Sequence, residues 1–311
     1  MVQEEKNRQI GMAAAIGACF MWGILPIYWK LLRDASAYEI LAHRICWSFI
    51  FMLAVIFLFR RGKKFVMDCK EIWQDKKRKQ LLLSASLLIS INWLTYIWAV
   101  NHDHVIETSI GYYITPLMSV LLGMVIFHEK LILGKKISIV LAFIGIVIMT
   151  WQFGQVPWIS VILAVSFAIY GALKKKMMMD PITSITLETL LVMPLALVYI
   201  GYLWLSGASH FGGTNWTLTL FLIGAGIVTA TPLILFSQGA NLLPLNVLGF
   251  LQYIGPTIAL FLGVFLFKEV FNWTHMIAFS FIWAALVIFS LSERFAIPQS
   301  KPKRKKTVLQ E

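Results

Sequence analysis

The sequence predicts an all-α integral membrane protein, with ten transmembrane helices arranged as two inverted five-helix repeats. Three observations carry that expectation: a composition that only lipid suits, ten apolar runs long enough to cross it, and a segment that recurs 140 residues downstream. Of the 311 residues, 59% are hydrophobic and 14% charged, against about 25% charged in ordinary soluble domains. Such a chain is neither a soluble enzyme nor disordered. Its three cysteines are scattered, which argues against a disulfide framework or a zinc site.

The first run, about 10–31, follows a short charged start with no small-residue cleavage pattern, so it reads as a retained span. The second, about 38–59, holds Glu39, His43 and Arg44. A basic loop follows, in which Phe65, Cys69, Ile72 and Trp73 recur at helical spacing; that pattern predicts an amphipathic helix lying on the inner surface. Runs three to five lie at about 81–100, 108–127 and 134–151. Runs six to ten lie at about 156–173, 184–204, 217–238, 246–267 and 273–291. Pro26, Pro116, Pro194, Pro232 and Pro256 fall inside runs, which a helix bundle tolerates where neighbours satisfy the freed carbonyls.

The stretch 113–129 (YITPLMSVLLGMVIFHE) meets 253–269 (YIGPTIALFLGVFLFKE) with seven of 17 positions identical, among them Glu129 and Glu269. The chain therefore divides into a first repeat at 9–151, a second at 156–291 and a basic cytoplasmic tail at 292–311. Five is an odd number of crossings, so the repeats are inverted. That architecture is associated with alternating access to a midplane site. Gly111, Thr115, Ser119 and Gly123 fall on one stripe of the fourth run, with Gly255, Ala259 and Gly263 as counterparts in the ninth. Small residues at this spacing let helix backbones approach closely, so these stripes are expected to pack helices.

Charge sets direction. With the N-terminus inside, twenty-three of the 27 Lys and Arg fall on the inner side. Three (Lys30, Arg33 and Lys268) fall outside, and Arg44 lies within the second span. Both termini are expected in the cytoplasm of a cell (inner) membrane. The net charge of +12 then reflects anionic lipid at the cytoplasmic face, not nucleic acid.

WGILPIYWK (22–30), EILAHRICWS (39–48), NWLTYIWAVN (92–101), ETSIGYYITPL (107–117), YGALKKK (170–176) and GFLQYIGPT (249–257) together resemble the RarD proteins. These form part of the ten-span EamA branch of the drug/metabolite transporter superfamily. The resemblance covers about 10–291. It implies a permease with two EamA repeats and a central cavity lined mainly by spans 1, 3, 4, 6, 8 and 9.

Ionisable groups inside a membrane are costly and face a cavity or a partner. Glu39, His43 and Arg44 are candidates for a gate, with a structural Glu39–Arg44 pair as the alternative. Glu188, with no basic neighbour within one turn of sequence, is the candidate for proton coupling, or else a solvated helix-start acid. The substrate-binding candidates are Trp22, Asn92, Trp93, Tyr96, Tyr112, Tyr113, Tyr170, Thr231, Gln238, Gln252 and Tyr253. Aromatics with a few amides suit a neutral or zwitterionic small organic substrate. No HExxH, Walker loop or GxSxG occurs, so no enzymatic site, cofactor or metal is expected. His102 and His104 form the one tight histidine pair. A secondary transporter acting as a monomer is the reading that results; a membrane scaffold or sensor without transport activity is the alternative.

Overall fold

In the computed structural model, residues 2–101, 105–153, 158–213, 215–266 and 273–295 are described. His102, His104, Phe267, Lys268, Glu269 and the tail from 296 onward lie outside the described residues.

The described chain is helical. The first half comprises α1 (Val2–Lys30), α2 (Ala37–Leu58), α3 (Gly62–Gln74), α4 (Lys76–Asn101), α5 (Val105–Phe127) and α6 (Leu133–Phe153). The second comprises α7 (Trp158–Met177), α8 (Pro181–Leu205), α9 (Trp216–Leu242), α10 (Leu245–Leu251), α11 (Ile254–Phe261) and α12 (Trp273–Phe295). Among the described residues, nine helices are long and apolar enough to cross a membrane, the segment Leu245–Leu266 counting as one. α12 continues to Phe295.

The ninth run was expected as one helix and is broken. α10 stops at Leu251, α11 starts at Ile254, and Leu262–Leu266 widens into a π turn. Pro256 supplies the reason: it has no N–H for the carbonyl of Gln252, four residues back, and its ring crowds that carbonyl. Pro116, its repeat counterpart, sits in α5 without breaking it.

The pairing of helices has a regular form. α2 packs on α8, α6 on α12 and α5 on α10. The remaining major pairs exchange when the halves are swapped: α1 on α9 answers α7 on α4, α5 on α7 answers α11 on α1, and α2 on α9 answers α8 on α4. The stripe of small residues lies in these seams. A Cβ at Gly111 would stand 3.1 Å from the Ser160 backbone of α7, and one at Gly255 would stand 3.3 Å from the Cys19 carbonyl of α1. Gly123 differs, because its space is filled by the Glu129 carboxylate and the Asn246 backbone. Thr115 and Ser119 donate back to the carbonyls of Gly111 and Thr115. Gly263 is buried in the π turn, and Ala259 is half-buried on α11.

The amphipathic helix is α3, and its apolar residues are not all turned toward the protein. Ile72 is buried with Leu82, Met177 and Met179, but Trp73 is 76% exposed, with the Lys79 ammonium over its ring. α3 is tied to the start of α8 by charge. Asp180 caps α8 and accepts from Arg61 at 3.1 Å and Lys64 at 2.7 Å. Asp68 accepts from Thr183 at 2.7 Å. Burial alone would raise the Asp180 carboxyl, but Lys64, the Thr183 N–H and Arg61 outweigh it and hold it below the ordinary carboxylate range. A carboxyl depressed by folding contributes stability above its unfolded value of about 3.9, and that contribution drains away as pH falls through the folded value. Asp180→Asn, which keeps the cap, should therefore flatten the loss of melting temperature on acidification below about pH 4. Parallel acid curves for the two proteins would show that the ion pairs add nothing.

Candidate functional site

Two polar clusters sit at opposite ends of the bundle on the paired helices α2 and α8. Arg44 and Glu188 are each the eighth residue of their helix, about 10 Å along the axis from its start.

At the Glu188 end, Lys174 donates to Glu188 Oε1 at 2.5 Å and to Ser184 Oγ at 2.6 Å. Ser184 Oγ donates to Oε1 at 2.8 Å, and Tyr170 OH donates to Oε2 at 3.0 Å. This corrects the premise that Glu188 lacks a basic neighbour: Lys174 stands fourteen residues earlier in sequence, brought over by the α7–α8 turn. It also removes Lys174 from the loop charges facing lipid, since it is only 2% exposed. The heads of both side chains leave water, so their mutual attraction and the two hydroxyls must offset desolvation. Beside this network, Trp22, Phe167, Tyr170 and Phe236 form an aromatic cluster, with Trp22 5.5 Å from both phenylalanines.

The same end carries a second polar lock. Glu129 accepts from the backbone N–H of Leu245 and Asn246 at 2.6 and 2.8 Å, and from Asn246 Nδ2 at 2.6 Å. It thus caps the start of α10. Lys175 reaches Glu129 and donates to the Leu243 carbonyl. Lys135, buried, donates to Asn246 Oδ1. Sequence reasoning gave Glu129 no role; its recurrence at Glu269 was the available signal.

At the Arg44 end, the expected Glu39–Arg44 pair is not formed. Glu39 is fully buried and accepts from the His210 N–H at 2.7 Å, meets His210 Nδ1 at 2.8 Å and accepts from Ser209 Oγ at 3.2 Å. It pins the loop that follows α8. His43, also buried, stacks on Phe211 of that loop at 4.6 Å. Arg44 turns away from both. Its guanidinium lies 5.1 Å from the ring of Trp29 and 4.7 Å from that of Trp93. Tyr96 and Tyr112 stand within its electrostatic reach and 5.9 Å from each other. Trp29 was absent from the sequence candidates.

Between the two ends lies a narrow crevice, lined by Trp93 and Glu188 together with Ile45, Ile185, Val192 and Leu233. The other candidate binding residues make contacts within the bundle or lie along its helices. Asn92 spends both amide protons on the Leu163 carbonyl and Ser166 Oγ at 2.9 Å each, pinning α4 to α7. Tyr113 donates to the Pro256 carbonyl. Gln252 donates to Ser119 at 3.3 Å. Thr231 bonds back to its own helix at Ile227. Tyr253 is buried against Phe250, and Gln238 is half-buried on α9.

A helical bundle with apolar, membrane-crossing segments, broken at one of them and carrying a buried ion pair, has the form of a membrane transporter. The chain matches the EamA-like transporter family over residues 9–151 and 156–291. It belongs to that family and is a multi-pass membrane transporter of the drug/metabolite superfamily. It is 46% identical to the uncharacterised transporter YojE of Bacillus subtilis, over 88% of this chain and 91% of that one. It is 39% identical to the protein RarD of Escherichia coli K12, over 92% and 95%. A solved crystal structure covering 94% of this chain and 99% of its own has a TM-score of 0.69 at 16% identity, a likeness of fold.

Proposed function

We propose that this chain is a secondary permease that moves small organic metabolites or drugs by alternating access, without an enzymatic step. In this reading ten spans form two inverted halves, 9–151 and 156–291, in a cell membrane with both termini cytoplasmic. The observation that carries it is the contrast between the two ends of the bundle. Glu188 is sealed by Lys174, Tyr170 and Ser184, whereas among the described residues Arg44 Nε has no hydrogen-bond partner. The exchange of helix pairings when the halves are swapped supports the opposite arrangement as the second state. Glu188 with Lys174 is the candidate for coupling, since opening the sealed end separates them. Glu39 and His43 are the candidates for an outer gate, through the loop they hold.

The test is flux. Purified protein in proteoliposomes should give saturable, protein-dependent counterflow of at least one member of a broad metabolite panel, measured with and without a proton gradient. No flux across the panel would favour a scaffold or sensor. Reporters fused at the C-terminus and in the 205–216 loop should lie on opposite sides, as the charge split demands; the same side would remove the inverted topology.

A further inference from the structure

We propose that Arg44 is the anchor for a carboxylate on an otherwise apolar substrate; this rests on the permease reading and names its substrate class. A guanidinium at this depth is costly unless something answers its charge and its donors. Among the described residues, Lys174 has Glu188 and Ser184, Lys175 has Glu129 and a carbonyl, and Lys135 has Asn246. Among the described residues, no carboxylate lies within ion-pair distance of Arg44, and its Nε is buried without a hydrogen-bond partner.

What surrounds Arg44 instead is aromatic. Trp29 and Trp93 lie 5.1 and 4.7 Å away. Ring faces attract the charge, but they leave the in-plane N–H fork without acceptors. A carboxylate fits that fork with two parallel bonds. Past Trp93 a narrow crevice is lined by Ile45, Ile89, Val192 and Leu233, with Glu188 and Thr189 also on its wall; its apolar members suit an apolar body. Among the described residues, no carboxylate within the spans is left over for a substrate ammonium. The described carboxylates Glu39, Glu129 and Glu188 are each already bonded by protein donors. One cation facing one aromatic box points to a monoanion, narrowing the neutral or zwitterionic class that the composition suggested.

The full-length protein in detergent should show this without knowledge of the natural substrate. Aromatic and branched aliphatic monocarboxylates, such as phenylacetate, are compared with their own amides and with inorganic phosphate, by melting temperature and tryptophan emission. The acids should bind at least tenfold more tightly than the amides, Arg44→Gln should abolish the difference, and Arg44→Lys should weaken it. The wild-type comparison of acid with amide decides even if a variant fails to fold. The anchor is overturned if no acid is preferred over its amide, if phosphate alone gives the same response, or if folded Arg44→Gln keeps the preference. Flux of neutral compounds by a protein indifferent to carboxylates would sink the anchor and leave the permease. Carboxylate binding with no flux across the panel would do the reverse.

Discussion

Glu188→Gln is expected to cost the fold about 3–5 kcal/mol, the usual penalty for leaving one member of a buried ion pair uncompensated. Lys174 would keep its charge 2% exposed, with only Ser184 and the new amide to answer it. Tyr170 would lose its carboxylate acceptor. The expected result is a large fall in melting temperature and in the monodisperse fraction on size exclusion. Lys174→Met combined with Glu188→Leu should recover most of that loss, because a pair of apolar side chains carries no desolvation penalty. The recovery should fall short by the unmet hydroxyls of Tyr170 and Ser184. A single variant that melts with the wild type would remove the pair from the structural account. The double variant also separates fold from transport: once folded, it should lack any flux driven by a pH gradient if the pair couples protons.

Gly226→Leu should be comparably severe. Gly226 on α9 faces the backbone of α2, where an added Cβ would stand 2.5 Å from Ser48 N and 2.6 Å from Trp47 Cβ. The approach is held by Ser48 Oγ, which donates to the Gly226 carbonyl at 3.0 Å. Overpacking against side chains costs about 1–3 kcal/mol; here the obstacle is main chain, and the helices cannot part without breaking the hydrogen bond. Even Gly226→Ala should lower the melting temperature. Gly201→Ala is the control, since nothing lies within 4 Å of its added Cβ, and it should gain helix propensity of up to about 1 kcal/mol. Equal stability of Gly226→Ala and the wild type would mean that α2 and α9 do not meet as described.

The sequence by itself determined the class of protein, because lipid crossing is a local property: a run of about 20 apolar residues satisfies its own backbone wherever it sits. α3 was legible for a similar reason, from one period of apolar residues among lysines. The seam residues Gly111 and Gly255 were legible from their size and spacing. Partnerships were not. Glu39 and Arg44 lie five residues apart, yet Glu39 bonds a loop 170 residues away and Arg44 joins tryptophans from two other helices. Spacing along one helix says which side chains share a face, and not what the next helix presents to that face. Lys174 read as a retention charge because it begins a run of three lysines at a helix end; only the α7–α8 turn brings Glu188 within reach of it. The break before Pro256, with Pro116 left unbroken, was decided in the same way. Proline frees a carbonyl in both helices, and the surroundings set in three dimensions determine whether the helix bends around it or parts.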